Sequence, residues 1–148
     1  MLRQLVIGAA VSLGNIAIHA AMMIAIIRAK SAIHANVWQH PNLRLIGIMV
    51  ATVSMLMAAH LIEVAVWAIA YWLAGATPGG TQNLYFAFVN YTTLGYGDIV
   101  PVARWRLLGP LTAMNGVLLF GWSTAVIFEV LRITLLVTGE GEKSGRPK

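Results

Sequence analysis

Three apolar runs, each long enough to cross a lipid bilayer, dominate this chain: about Leu5–Ile27, about Arg44–Leu73 and about Leu107–Val137. A helix rises about 1.5 Å per residue, so roughly 20 apolar residues cover the hydrocarbon core. The second and third runs exceed that minimum, which predicts tilt or protrusion into water. The composition agrees. At 148 residues, 59% hydrophobic and 10% charged, the chain has more apolar surface than a soluble domain of this length can hide. The expected class is an all-α membrane protein. The first run is 23 residues long, beyond the short core of a secretory signal, and is read as a retained spanning helix. With no cysteine, disulfide and thiol chemistry are excluded.

The net charge of +5 says less than where the charges fall. Clustering at the ends of the apolar runs argues for membrane topology and against nucleic-acid binding. Three spans put Arg28, Lys30, Arg44, Arg132, Lys143, Arg146 and Lys148 on one side, and Arg3, Arg104 and Arg106 on the other. The more basic side is expected to be cytoplasmic. The N-terminus then faces out, the C-terminus faces in, and the loop over residues 75–105 opens from the outside. A multi-pass protein of the cell membrane follows, with a bacterial inner membrane as the expected setting.

Short polar connections divide the runs. Pro41-Asn42 marks a turn before the second helix. "GATPGGTQ" follows it as a Gly/Pro/Thr loop. "NLYFAFVNYTT" is apolar but too short to cross, and reads as a half-helix with Thr81 as its N-cap. The stretch "TGEGEKSGRPK", residues 138–148, is charged and glycine-rich and is expected to be disordered. The predicted organisation is a spanning helix and cytoplasmic loop (1–43), a central helix–half-helix–helix unit (44–137) and a cytoplasmic tail (138–148).

Asn90–Pro101, "NYTTLGYGDIVP", is polar and glycine-broken between two apolar runs. Non-helical backbone is tolerated at membrane depth only where protein buries it or where it lines a water-filled path. A re-entrant loop is therefore expected. Gly95 and Gly97 can adopt positive φ, and alternating such residues with ordinary ones turns successive carbonyls to one side. A line of carbonyls replaces the water shell of a cation. The negative C-terminal end of the half-helix adds to that attraction.

Thr93-Leu94-Gly95-Tyr96-Gly97-Asp98 resembles the Thr-Val-Gly-Tyr-Gly-Asp selectivity filter of potassium channels. Thr92, Pro101 and the order helix, re-entrant loop, helix fit the same family, over roughly residues 45–130. The filter string is specific, whereas the helices around it are generic. The resemblance implies a pore domain over 44–137, with one filter strand per chain in a homotetramer embedded in the bilayer. It implies that K⁺ is the permeant ion, without an organic cofactor, coordinated along Thr93, Leu94, Gly95, Tyr96 and Gly97. Thr92, Asp98 and Tyr85 would support the filter. Leu94 replaces the usual valine. Some relatives carry a glutamate three residues before Thr92 that bonds the filter acid; Val89 stands there, so Tyr85 is the candidate partner for Asp98. Asn115, Gly116 and Gly121 fall where the inner helix of such channels bends or lines the cavity. Close helix packing or an interhelical hydrogen bond is the plainer role for each.

Glu63 lies inside the second helix, about 15 Å from its outer end, where a carboxylate is costly and is a functional candidate by default. His60 is one turn away on the same face. The first helix carries Gly8, Ser12, Asn15 and His19 in a stripe. Asn15 and His19 lie about 15 and about 21 Å down, at depths that match Glu63 and His60. The first helix is expected to dock by this stripe, as polar glue or as a proton-sensitive latch. His60, Glu63 and His19 are too few and too buried to be expected to hold a metal. Glu129 and Arg132 read as an i,i+3 ion pair. Trp67, Trp72 and Trp105 suit an outer aromatic belt, and Trp38 an inner one. No run of arginines marks a voltage sensor.

The expected activity is passive K⁺ conduction, not catalysis. The alternatives are a non-selective cation channel of the same fold, a non-conducting accessory subunit and, least supported, a membrane enzyme built on His60, Glu63 and His19.

Overall fold

The computed structural model describes residues 1–33, 41–78 and 82–144. Four α-helices appear in order: α1 (Leu2–Ile33), α2 (Pro41–Ala74), α3 (Asn83–Tyr91) and α4 (Leu108–Ser144). A 3-10 turn, Ala103–Trp105, precedes α4. Three helices are long and apolar enough to span a membrane, and α3 is a nine-residue half-helix between the second and third of them. α1 and α2 overrun their expected bounds at both ends, and α4 overruns at its C-terminal end. Pro41 opens α2, where its missing N–H costs nothing because the first turn has no acceptor for it. The stretch from Thr138, expected to be disordered, stays helical as far as Ser144. Thr81 and Trp38 lie outside the described residues. Gln82 precedes the first turn of α3 and gives no side-chain cap.

Each spanning helix buries one stripe at helical spacing. On α2 this stripe is Ile48, Thr52, Leu56, Ala59, Glu63, Trp67 and Tyr71. On α4 it is Thr112, Asn115, Leu119, Ser123, Val126, Val130 and Thr134. The other faces expose large apolar side chains such as Val50, Ile62, Ile69, Val117 and Leu136, as expected of helices against lipid or neighbouring copies.

Two apolar clusters hold the helices together. One joins Val64, Trp67 and Tyr71 of α2 to Phe86, Ala87 and Tyr91 of α3 and to Trp105 and Leu108. The other, at the opposite end, joins Ile26, Ile48, Leu56, Val126 and Val130. Trp67 is therefore a fully buried core residue whose indole N–H donates to Asn115 Oδ1 at 3.0 Å, not part of an outer belt. Trp105 is also buried, with the Arg3 guanidinium 5.3 Å from its ring centre. Only Trp72 of the three stands exposed. The sequence expectation failed because α3 and the chain after it cover the face of α2 that carries Trp67.

The end of α2 fixes where α3 starts. Gly75 takes φ +60° after the last helical residue, Gly75 N–H donates to Trp72 O, and Ala76 N–H donates to Tyr71 O. These bonds form a Schellman turn, which satisfies carbonyls the helix would leave unpaired. Val102 N–H then donates to Ala76 O at 2.9 Å, which pins the far side of the re-entrant loop to the same corner. Gln4 Oε1 accepts from Leu107 N–H at 2.8 Å and ties the start of α1 to the start of α4.

Candidate functional site: a re-entrant loop and the polar ring behind it

α3 ends at Tyr91, and the chain leaves it without straightening at once. Thr92 N–H donates to Phe88 O, Thr93 N–H to Asn90 O, and the N–H groups of Leu94 and Gly95 both donate to Val89 O at 2.9 and 3.3 Å. The Thr92 hydroxyl also returns to Phe88 O at 2.7 Å. The position where a filter glutamate was considered thus contributes its backbone carbonyl, with the Val89 side chain buried. Beyond this turn the backbone has positive φ at every second residue: Thr93 at 60°, Gly95 at 57° and Gly97 at 77°. Glycine accepts that conformation freely, but threonine is β-branched and rarely does. Such an outlier points to a conformation imposed by use. All residues from Thr92 to Asp98 are exposed in the single chain.

Tyr85 and Asp98 meet across the loop. The Tyr85 hydroxyl donates to Asp98 Oδ2 at 2.7 Å, the partner expected from its position. That bond, together with the charge of Asp98, holds the phenol above its ordinary titration range.

Behind α3, four helices contribute to one polar ring. Glu63 is fully buried. Its Oε1 lies 2.9 Å from His19 Nδ1, and its Oε2 lies 3.0 Å from His60 Nδ1. The Tyr91 hydroxyl donates to Oε2 as well and lies 2.9 Å from His60 Nδ1. On the far side, Ser123 Oγ of α4 lies 2.9 Å from His60 Nε2 and 3.3 Å from His19 Nε2. Asn15 continues the contact: its Nδ2 donates to Glu63 O at 3.2 Å and to Asn115 Oδ1 at 3.0 Å. The four residues placed together from sequence depth (His19, Asn15, His60 and Glu63) do share this site. Asn115 bonds its neighbours, the plainer of its two expected roles.

Tyr91 and Ser123 were not anticipated. Tyr91 looks like one more aromatic residue of an apolar half-helix. Ser123 could have been found, because Thr112, Asn115, Ser123 and Thr134 recur at helical spacing in an otherwise apolar run.

The two glycines of α4 differ. A Cβ on Gly116 would overlap the backbone oxygen of Tyr91, so that residue serves close packing of α4 on α3. Gly121 has open space where a Cβ would lie. Gly8 of α1 packs on the Leu111 side chain. Glu129 and Arg132 form a two-pronged pair at 2.8 and 2.9 Å, about half exposed. In high-dielectric surroundings such a pair adds little stability.

A family model described as "ion channel" matches residues 59–133, just over half of the chain. The match begins beside His60 and Glu63 and runs through α3, the re-entrant loop and most of α4; α1 lies outside it. No curated protein and no solved structure matches the chain.

Proposed function

We propose that this chain, which belongs to the ion channel family, forms a potassium-selective pore as a homotetramer. The observation that carries the reading is the Thr93–Asp98 string together with its backbone, where φ is positive at every second residue from Thr93 to Gly97. Alternating handedness of this kind turns successive carbonyls to one side. The carbonyls of Thr93, Leu94, Gly95 and Tyr96, with Gly97 shaping the outer end and the Thr93 hydroxyl the inner one, replace the water around a K⁺ ion. Four such strands complete the ring, and neighbouring ions drive each other down the gradient. One chain presents the loop fully exposed, including the apolar Leu94 and Tyr96 at 53% and 68%, which favours copies packed around a shared axis.

Thr92, Tyr85 and Asp98 brace the strand from behind. The charge bias supports an outward N-terminus and an inward C-terminus, with the filter opening from outside. Arg3, Arg104 and Arg106 belong to the end that carries the loop, since Arg3 stacks on Trp105.

Purified protein in liposomes tests the proposal. The expected result is K⁺ flux that exceeds Na⁺ flux at least ~100-fold and is abolished by Gly95→Asp, in a particle of four copies. Equal K⁺ and Na⁺ flux would replace it with a non-selective cation pore. Absence of flux from a stable tetramer would replace it with an accessory subunit, and flux surviving Gly95→Asp would remove the filter assignment.

A further inference from the structure

The ring behind the filter has one proton too few when its members are counted in their ordinary neutral-pH forms. A carboxylate only accepts, so an ionised Glu63 requires a hydrogen on Nδ1 of both His19 and His60. Two neutral imidazoles then have bare Nε2 atoms. Both face Ser123 Oγ, at 2.9 and 3.3 Å, and that hydroxyl has a single hydrogen. One Nε2 is bonded and the other opposes an oxygen lone pair. A single added proton removes the conflict: one Nε2–H donates to Ser123 Oγ, and the Ser123 hydroxyl donates to the other Nε2. The count is unchanged if the proton moves to the Glu63 carboxyl, which then donates to a bare Nδ1 while that imidazole carries its hydrogen on Nε2.

Charge gives the same answer independently. Without the added proton the buried ring has net charge −1 at membrane depth, where an uncompensated charge is costly. With it the net charge is zero. The groups facing the ring are His19 from α1, His60 and Glu63 from α2, Tyr91 from α3 and Ser123 from α4, with the rings of Phe120 and Trp122 beside the imidazoles. Each imidazole aims Nδ1 at a different carboxylate oxygen; the three side chains also bring one ligand atom each within 4.8 Å of the others, so a metal ion is the rival occupant that the test must separate.

We propose that His19, His60, Glu63 and Ser123 form an intramembrane proton-binding site that holds one proton and, through it, docks α1 against α2 and α4. Tyr91 carries the coupling, because its hydroxyl is bonded to the same carboxylate and its backbone adjoins Thr92. His60 is the way in and out. Its side chain is 12% exposed while those of His19 and Glu63 are closed off, and it borders a groove of about 410 Å³ with Thr92 and Thr124. The added proton completes the hydrogen bonds of the docked state, and its removal leaves two bare Nε2 atoms facing one hydroxyl hydrogen. This site is independent of which ion the pore carries.

Magnetic resonance of the full chain in lipid nanodiscs tests it, with ¹⁵N-labelled histidine and ¹³C-labelled glutamate and no reliance on conduction. His34 and His40 are assigned by substitution. At pH 7 the expected spectrum has either one imidazolium among His19 and His60 with an ionised Glu63, or a protonated Glu63 with two neutral imidazoles of opposite tautomer. Ser123→Ala, a small change that removes the second acceptor, lowers the population of the added proton at pH 7 at least ~10-fold. Two neutral imidazoles both carrying hydrogen on Nδ1 beside an ionised Glu63 would overturn the proposal. So would an added proton unaffected by Ser123→Ala, or Zn²⁺ at micromolar concentration shifting both imidazoles together.

Discussion

Gly116 of α4 lies flat against the backbone carbonyl of Tyr91, the last residue of α3, with no room between them for a methyl group. Gly121, five residues on, has open space at the same point. Gly116→Ala is expected to force α4 off α3 at a cost of about 1–3 kcal/mol, the usual range for overpacking. Gly121→Ala is expected to leave stability unchanged or slightly raised, since alanine favours a helix. Denaturation in detergent measures both. If bending at Gly121 opens the inner pore, Gly121→Ala will lower flux without loss of folded protein.

Asn115 accepts from two buried donors, the Trp67 indole and the Asn15 amide, so its removal strands more than one group. Asn115→Leu is expected to destabilise the fold by about 1–3 kcal/mol. Asn15→Leu on that background should add less than it costs alone, because the shared bond is already gone. A double-mutant cycle in a denaturant titration reads the coupling, and strict additivity would show that the two side chains act separately.

The Tyr85–Asp98 bond ties α3 to the far end of the loop. The phenol is held above its ordinary value of 10.0, chiefly by this bond. The bond therefore contributes fully below pH 10 and is lost as pH rises through the elevated value. Tyr85→Phe and Asp98→Asn are each expected to make K⁺ flux decay faster after the gradient is applied, with no further loss in the double variant. Liposome flux followed over time at neutral pH tests this, and undiminished flux in Tyr85→Phe would show the loop braced elsewhere.

If the ring behind Tyr91 governs α1, flux should respond to pH over the interval in which the ring releases its proton. Glu63→Gln, which removes the carboxylate that needs the proton, is expected to flatten that response at least ~5-fold while the Thr93–Gly97 loop stays intact. Paired flux and ¹⁵N titrations make the comparison. A pH response unchanged in Glu63→Gln would place the sensor elsewhere.

The sequence by itself determined the three spanning helices, the half-helix and the loop. These features depend on the length of apolar runs and on glycine at positions that need positive φ, and both are local properties. The depth match between α1 and α2 was also legible, because helical rise converts residue number into distance along the membrane normal. Tertiary structure alone decided what each helix face meets. Trp67 looked like an interfacial anchor until α3 folded across it. Tyr91 and Ser123 are ordinary in sequence, and only the rotation of α3 and α4 brings Tyr91 to Glu63, 28 positions away, and Ser123 to His60, 63 positions away. A carboxylate in a membrane announces that it needs partners, but the packing of four helices decides which side chains, and how many protons, satisfy it.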